Sequence, residues 1–241
     1  MQRFIAALLS ATAIGVASAS AADLPVKAPP LMPAPPVYNW TGCYLGGQAG
    51  YGWGKDSDHE TVTATGLTSA FSPRNNASLS GAKLGGYLGC NWQVPGSAFV
   101  FGVEGDGEWA NVKGSANYHT LPPPDYYNTT IRWDASLRGR VGYAFNNVLL
   151  YATGGVSFAN INEQDVVGGG APSTSNSSTR TGWTLGAGLD FAFAPNWIAR
   201  VEYRYADYGT YSYTPIVFPG FTENHKITDN TIRFGLAYKF F

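Results

Sequence analysis

The end of the chain alternates bulky apolar residues with small or cationic ones. The two sets are Ile232, Phe234, Leu236, Tyr238 and Phe240, and Arg233, Gly235, Ala237 and Lys239. Successive residues of a β-strand point to opposite faces, so this pattern predicts a strand with one apolar and one polar face. A strand of this kind at the C-terminus is typical of the closing strand of a transmembrane β-barrel.

The same alternation recurs along the chain and predicts eight strands. They lie at about Thr41–Trp53, Gly81–Trp92, Phe99–Trp109, Ile131–Phe145, Val148–Ala159, Thr181–Phe193, Ile198–Tyr208 and Thr231–Phe241. The fourth strand is the clearest internal example. Its predicted apolar face includes Ile131 and Trp133, and its predicted polar face carries Arg132, Arg138 and Arg140.

Short and long connections alternate between these strands. Turn-forming residues at 95–97, 146–147 and 194–196 join strands two to three, four to five and six to seven. Long polar segments make the other connections, at about 54–80, 111–130, 160–180 and 209–229. This asymmetry is expected of outer-membrane barrels. The sequence therefore predicts an all-β fold, an eight-stranded antiparallel up-and-down transmembrane β-barrel.

A soluble eight-stranded barrel of the lipocalin type has the same strand count, but its apolar face points inward. The tryptophans favour the membrane, because they fall near strand ends in two sets that match two headgroup layers. The predicted aromatic girdle consists of Trp40, Trp92 and Trp197 on the short-turn side, and Trp53, Trp109, Trp133 and Trp183 on the long-loop side.

Charged residues on the other strand faces can pair across a narrow lumen, where unpaired charge is expensive. The predicted lumen charge network contains Glu104, Asp106, Glu108, Arg132, Arg138, Arg140, Arg200, Glu202, Arg204 and Arg233. Lys83, Asp134 and Asp190 could extend it. Frequent inward glycines leave room for these long side chains, so we expect a filled lumen rather than a wide pore.

The N-terminus predicts export. A charged start at Arg3, an apolar run and a stretch of small residues form a secretory signal peptide at 1–22. A proline-rich periplasmic linker follows at 23–39, and the barrel occupies 40–241. We expect a monomer in the outer membrane of a Gram-negative bacterium, with both mature termini in the periplasm. Lys plus Arg (15) nearly balance Asp plus Glu (16), which gives no electrostatic case for nucleic-acid binding.

Three segments resemble a known family. Residues 23–30 (DLPVKAPP), 40–47 (WTGCYLGG) and 235–240 (GLAYKF) are similar to the mature start, first strand and closing strand of the small outer-membrane immunogenic proteins of alpha-proteobacteria. The resemblance covers the whole mature chain. Two departures are Cys43, where the family usually has an aromatic residue, and Phe241, which extends beyond the expected terminal Phe240.

The resemblance implies an abundant, surface-exposed structural protein that supports the outer envelope and has no enzymatic activity. Its expected partners are outer-membrane phospholipid and lipopolysaccharide, and contact with peptidoglycan is an additional possibility. Family members often carry a porin label, so a small porin is one alternative function. The absence of a Gly-x-Ser-x-Gly turn or a His-Glu-x-x-His motif also disfavours an enzyme.

Haem binding is the other alternative, since some relatives bind haem. Histidine and tyrosine are residue types that ligate haem iron. The candidates are His59, His119, Tyr126 and His225, all of which fall in predicted long loops. No metal site is predicted.

Cys43 and Cys90 are the only cysteines, and both fall near the periplasmic ends of adjacent strands on the predicted lipid face. A cross-strand disulfide requires a register that brings them together. The sequence favours two separate apolar thiols slightly over that disulfide.

Overall fold

The computed structural model describes residues 38–62, 76–117, 126–166, 172–213 and 221–240, apart from the side chains of 58–62, 165, 172–174, 213 and 221–223. Within those ranges, no helix is long and apolar enough to cross a membrane. The predicted signal peptide and nearly all of the predicted linker lie outside the described residues, so both stay predictions.

Eight antiparallel strands form a closed barrel, which confirms the predicted fold class. They are β1 (Gly42–Val62), β2 (Asn76–Gln93), β3 (Phe99–Asn117), β4 (Tyr126–Phe145), β5 (Val148–Val166), β6 (Pro172–Ala194), β7 (Trp197–Tyr213) and β8 (Phe221–Phe240). Each strand pairs with its neighbours in sequence, and β8 pairs with β1 to close the ring. We call the end with the three tight turns the short-turn end, and the opposite end the long-loop end.

The strands extend further toward the long-loop end than the sequence predicts. β1 continues to Val62, and β8 begins at Phe221, so much of the predicted loops is strand. The cause is that pairing satisfies the backbone wherever two strands run side by side. We call the outward band of exposed apolar side chains between the two rows of tryptophans, which includes Leu84, Leu137, Leu185 and Phe234, the apolar belt. Beyond this belt no lipid contacts the outward face. Apolar and polar residues therefore no longer alternate there, and the sequence does not reveal the strand.

The two faces of the wall have opposite character. Outward positions carry large apolar side chains such as Leu137 and Phe234, which are 66% and 59% exposed, and Leu185 is exposed as well. Inward positions carry buried ions such as Arg138 and Glu104. A soluble barrel requires the reverse arrangement, whereas a wall facing hydrocarbon requires this one.

A β-bulge in β4 interrupts the alternation and corrects the sequence prediction there. The register against β5 shifts between Ile131 and Trp133, so Arg132 and Trp133 both lie outward. Ile131, which we expected on the apolar outer face, is buried inside, and Arg132, which we expected in the lumen, is exposed. A bulge inserts one extra residue and redirects the side chains beyond it.

The lumen is filled in three layers. The first is an apolar layer at the short-turn end, made of Trp40, Tyr44, Tyr87, Val100, Leu149, Tyr151, Ala192, Ile198 and Ala237. The second is an apolar layer toward the long-loop end, made of Leu79, Ala110, Val112, Ile131, Ala159, Ile161, Ala206, Tyr208 and Ile227. Most of the buried charged residues occupy the strand positions between them, whereas Asp56, Glu163 and His225 lie at or beyond the second layer.

Glycines on the inner wall make room for the large lumen side chains. A Cβ at Gly46 would lie 2.7 Å from Cζ of Tyr87, and one at Gly50 would lie 3.0 Å from Cγ of Arg233. Both distances are too short for ordinary contacts. The glycines therefore let a barrel of only eight strands hold aromatic and guanidinium groups.

A disulfide joins β1 to β2, so the expectation of two separate thiols was wrong. The register places Cys43 directly opposite Cys90, and the two residues are bonded. The sequence left the register of the hairpin undetermined, and register decides whether such a bond can form. The bond lies on the outer face close to the exposed Trp92.

We expect the disulfide to stabilise the barrel against unfolding, because it constrains the unfolded chain between residues 43 and 90. The double substitution Cys43→Ser/Cys90→Ser should lower the free energy of unfolding by about 2–4 kcal/mol. Denaturant unfolding in detergent, with and without reductant, measures this. Reductant should shift only the wild-type midpoint, and an unshifted wild type contradicts the prediction.

Candidate functional site

The lumen charge network is the most distinctive chemical feature of the described residues. Its cations are Lys83, Arg138, Arg140, Arg200, Arg204 and Arg233, and its carboxylates are Glu104, Asp106, Glu108, Asp134, Asp190, Glu202 and Asp229. All of them are buried, and they come from every strand except β1 and β5.

Arg138 pairs with three carboxylates of the network, as Arg204 and Arg233 also do. Its Nη2 lies 2.6 Å from Oε1 of Glu104 and 2.9 Å from Oδ1 of Asp106. Its Nη1 lies 2.7 Å from Oε1 of Glu202 and donates to Oγ1 of Thr153 at 3.1 Å. Arg138 thus connects β4 to β3 on one side and to β5 and β7 on the other. The pair with Glu104 follows directly from the register, which places these two residues opposite each other.

Arginines of β7 reach across the lumen to carboxylates of β3. Nη1 of Arg200 lies 2.6 Å from Oε2 of Glu104. Nη1 of Arg204 lies 3.0 Å from Oδ2 of Asp106, and its Nη2 lies 3.2 Å from Oε2 of Glu108. These strands lie on opposite sides of the ring. The ion pairs therefore bridge the full width of the lumen.

Lys83 and Arg233 extend the network toward β8. Nζ of Lys83 lies 2.7 Å from Oδ2 of Asp134 and 2.5 Å from Oδ2 of Asp229. Arg233 pairs with Asp106 at 3.3 Å, and also with Glu202. Each cation thus contacts more than one carboxylate, which is the arrangement that makes a buried charge tolerable.

Nine of the ten residues predicted for this network lie inside the barrel, and Arg132 does not. Lys83, Asp134 and Asp190 also take part. Sequence reasoning missed Asp229, which we assigned to a loop. The signal was the alternation of β8, since Asp229, Thr231 and Arg233 share the inward face.

The short-turn end of the lumen is closed by residues that precede β1. Trp40 was expected in the aromatic girdle, but it is fully buried in the lumen, where its indole Nε1 donates to the Asn146 carbonyl at 2.9 Å. Its backbone N–H donates to Oε1 of Gln93 at 3.0 Å. Burial raises the pKa of the neighbouring Tyr38. The chain turns inward before the first strand, and strand periodicity does not extend to such a segment.

The other six girdle tryptophans lie outward. Those at the short-turn end are Trp92 and Trp197, and those at the long-loop end are Trp53, Trp109, Trp133 and Trp183. Trp109 and Trp133 are direct cross-strand partners. Two rows of exposed indoles separated by an apolar belt fit the two interfaces of a bilayer.

The haem candidates do not assemble among the described side chains. His225 is not in a loop, because it lies in β8 and is buried inside the barrel. Tyr126 begins β4 on its outward face, so the wall separates these two residues. The backbone of His59 belongs to β1 rather than to a loop, but its side chain lies outside the described part, and so does His119 as a whole.

His225 instead belongs to a buried polar cluster. Its Nδ1 lies 3.1 Å from Oδ1 of Asp56, and Thr129 donates to Oδ2 of Asp56 at 2.7 Å. Tyr211 stacks on the imidazole with ring centroids 5.5 Å apart. Ligand atoms of Asp56, Glu163 and His225 lie within 4.8 Å of one another, so these are residues that could hold a divalent cation. A second such group, of Asp106, Glu108 and Asp134, already faces arginines.

Comparison with known proteins identifies the family. The family model described as an outer membrane protein beta-barrel domain matches residues 7–240. The chain belongs to this family. A 31 kDa outer-membrane immunogenic protein of Brucella melitensis is 33% identical over 97% of this chain and 98% of its own length. A 22 kDa outer membrane protein of Rhizobium leguminosarum is 29% identical, covering 86% of this chain and 82% of its own.

Solved structures show the same architecture. The outer membrane protein OprG of Pseudomonas aeruginosa matches 84% of this chain and 98% of its own, with a TM-score of 0.59 and 13% identity. At that identity the likeness shows the fold alone. The family and its relatives place the protein in the outer membrane of a Gram-negative bacterium, where the apolar belt faces lipid. The relatives' names describe immunogenic outer-membrane proteins and no enzyme.

The network predicts a large difference between two arginines of the same strand. Arg138→Ala removes the guanidinium group that Glu104, Asp106 and Glu202 share. It should destabilise the barrel by about 3–5 kcal/mol. The matched control Arg132→Ala removes an exposed side chain and should change stability by no more than about 0.5 kcal/mol.

Urea unfolding of both variants in lipopolysaccharide-free micelles measures the difference, with gel mobility before and after boiling as the check on folding. Equal destabilisation by the two substitutions contradicts a network that depends on Arg138.

Proposed function

We propose that this protein is a structural component of the outer membrane, with a closed lumen and a surface displayed outside the cell. One observation carries the proposal: the charge network lies between two clusters of buried apolar side chains, and its own ionic side chains are almost completely shielded from solvent. A monomer in contact with phospholipid and lipopolysaccharide is the simplest assembly that fits the exposed apolar belt. Contact with peptidoglycan stays a prediction.

The packing of the lumen supports a role in mechanical support. Ion pairs connect β3 with β7, and β2 with β4 and β8, so the wall is braced across its interior as well as around its ring. The disulfide between β1 and β2 adds a covalent link to that wall. A lumen crossed by ion pairs obstructs the passage of a solute, so it does not suit a transport protein. The same ion pairs make the wall rigid, which suits a protein that supports the envelope mechanically.

The same packing disfavours a diffusion porin. Eight-stranded barrels have interiors that side chains can fill, and here aromatic rings, including Trp40 and Tyr151, fill the short-turn end. A conducting path would require these residues and the ion pairs behind them to move together. Display at the surface accords with the relatives, which are named immunogenic proteins. A role without catalysis also accords with those names.

Planar-bilayer recording tests the closed lumen. Purified wild-type protein should give no stable stepwise conductance, because the two apolar layers exclude water and ions. Tyr151→Ala/Trp40→Ala empties part of the short-turn layer and should increase transient conductance, whereas Tyr143→Ala, on the exposed outer face, should not. Stable ohmic channels in the wild type contradict the proposal and favour a small porin.

A deletion strain tests the structural role. Loss of the protein should increase leakage of a periplasmic reporter enzyme and sensitivity to detergent, and should leave the uptake of small solutes unchanged. Expression of the wild type should restore the barrier, and Arg138→Ala should restore it less well. Selective loss of uptake of one solute, with an intact barrier, overturns a structural role and favours transport.

A further inference from the structure

Four cations project outward from the wall just beyond the long-loop row of tryptophans. This cationic arc consists of Lys226 in β8, Lys55 in β1, Lys113 in β3 and Arg132 in β4. All four are exposed. They lie within a few residues of Trp53, Trp109 and Trp133 on the same outward faces, and therefore at the level of the lipid headgroups.

The register makes the arc continuous across five neighbouring strands. Lys226 is opposite Ser57, two residues beyond Lys55 in β1. Lys55 is opposite Ser78 of β2, and Lys113 is opposite Ser80 of the same strand. Two exposed hydroxyl groups thus fill the gap between the lysines of β1 and β3.

Arg132 reaches this surface only because of the bulge in β4. Strict alternation from Trp133 would point it into the lumen, and the register shift beside it turns it outward. Bulges are common at the rims of barrels, where they re-aim a side chain. The same bulge buries Ile131 in the apolar layer toward the long-loop end, so one irregularity sets the direction of a side chain on each face of the wall.

The charge of the arc is unbalanced. Among the outward side chains that the structure describes on β8 and β1–β4, none is acidic. The described outward side chains of β5–β7 show the opposite: they contain no lysine or arginine, and they contain Asp207. Asp207 lies 3.4 Å from Nζ of Lys226, at the edge of the arc, and no carboxylate among the described side chains forms an ion pair with the other three cations.

Polar donors surround the β3–β4 part of the arc. A recess of about 470 Å³ lies there, lined by Lys113, Gly114, Ser115, Asn128, Thr130 and Gln164. Lysine ammonium, arginine guanidinium, hydroxyl and amide groups are donors that bind phosphate oxygens. Below them lie exposed apolar side chains such as Leu84 and Leu137, which suit acyl chains.

The position of the arc selects the ligand. A molecule that presents phosphate at this height and acyl chains below it is a phosphorylated glycolipid of the outer leaflet. The described outward side chains at the short-turn end, which faces the phospholipid leaflet, carry no lysine or arginine. We propose that the cationic arc binds the phosphorylated head of lipopolysaccharide and holds it against β8 and β1–β4.

This proposal deepens the proposed structural role, on which it rests, by naming the lipid and the residues that hold it. Attachment to a wall braced from inside would immobilise lipopolysaccharide around half of the barrel. The conductance of the lumen does not depend on the arc, so the recordings described above succeed or fail independently of it.

The test uses bisphosphorylated lipid A and the folded protein in zwitterionic nanodiscs, with binding measured by native mass spectrometry. Lys55→Gln/Lys113→Gln/Arg132→Gln should weaken binding at least about tenfold, since each cation near an anionic lipid surface contributes several-fold to affinity. The matched control, Asn160→Ala/Thr179→Ala/Thr181→Ala, alters outward polar residues of β5 and β6 and should leave binding unchanged.

Four measurements on the wild type define the ligand. Removal of the phosphates from lipid A should weaken its binding to the wild type. The loss of affinity should equal the loss that the triple glutamine substitution causes for bisphosphorylated lipid A. Phosphatidylglycerol should bind more weakly than lipid A, and millimolar inorganic phosphate should not compete. Raising the salt concentration tenfold should weaken lipid A binding, because exposed charges are screened.

Equal weakening by both triple variants overturns the proposal, and so does wild-type binding that is indifferent to the phosphates. If phosphatidylglycerol binds as tightly as lipid A, the ligand is not specifically lipopolysaccharide. If inorganic phosphate competes with lipid A, the ligand need not be a lipid.

Discussion

A narrow lumen that must hold charge is the constraint on which this structure depends. Water that could solvate an isolated ion has little room inside an eight-stranded barrel, and two apolar layers separate the charges from both ends. Each buried cation must therefore find carboxylates within the barrel. Arg138, Arg204 and Lys83 do so across strands that are not neighbours, and the wall is thereby braced from inside.

That constraint explains why much of the molecule could be predicted from sequence. A wall with lipid outside and ions inside forces opposite chemistry onto alternate residues, so the strands of the apolar belt are visible as period-two patterns. The inward positions of Glu104 and Arg138 followed from the same alternation, and the register then places these two residues opposite each other. Tight turns such as Asn146–Asn147 then fixed the strand order.

The features that the sequence did not reveal are those that break the period or depend on register. The bulge moved Arg132 outward and Ile131 inward, and no turn residue marks it. Trp40 lies outside the strands, so its burial depends on where the chain turns rather than on alternation. The bond between Cys43 and Cys90 required the hairpin register, which two apolar strands leave open.

The most direct test of the central claim observes native side chains without substituting any of them. In nanodiscs, a paramagnetic label on the lipid tails should broaden the NMR signals of Leu137, Leu185 and Phe234. The guanidinium signals of Arg138 and Arg233 should be broadened neither by that label nor by a water-soluble paramagnetic chelate. Broadening of the arginine signals by either agent, or leucine signals that the lipid label does not affect, would contradict a sealed ionic lumen inside an apolar wall.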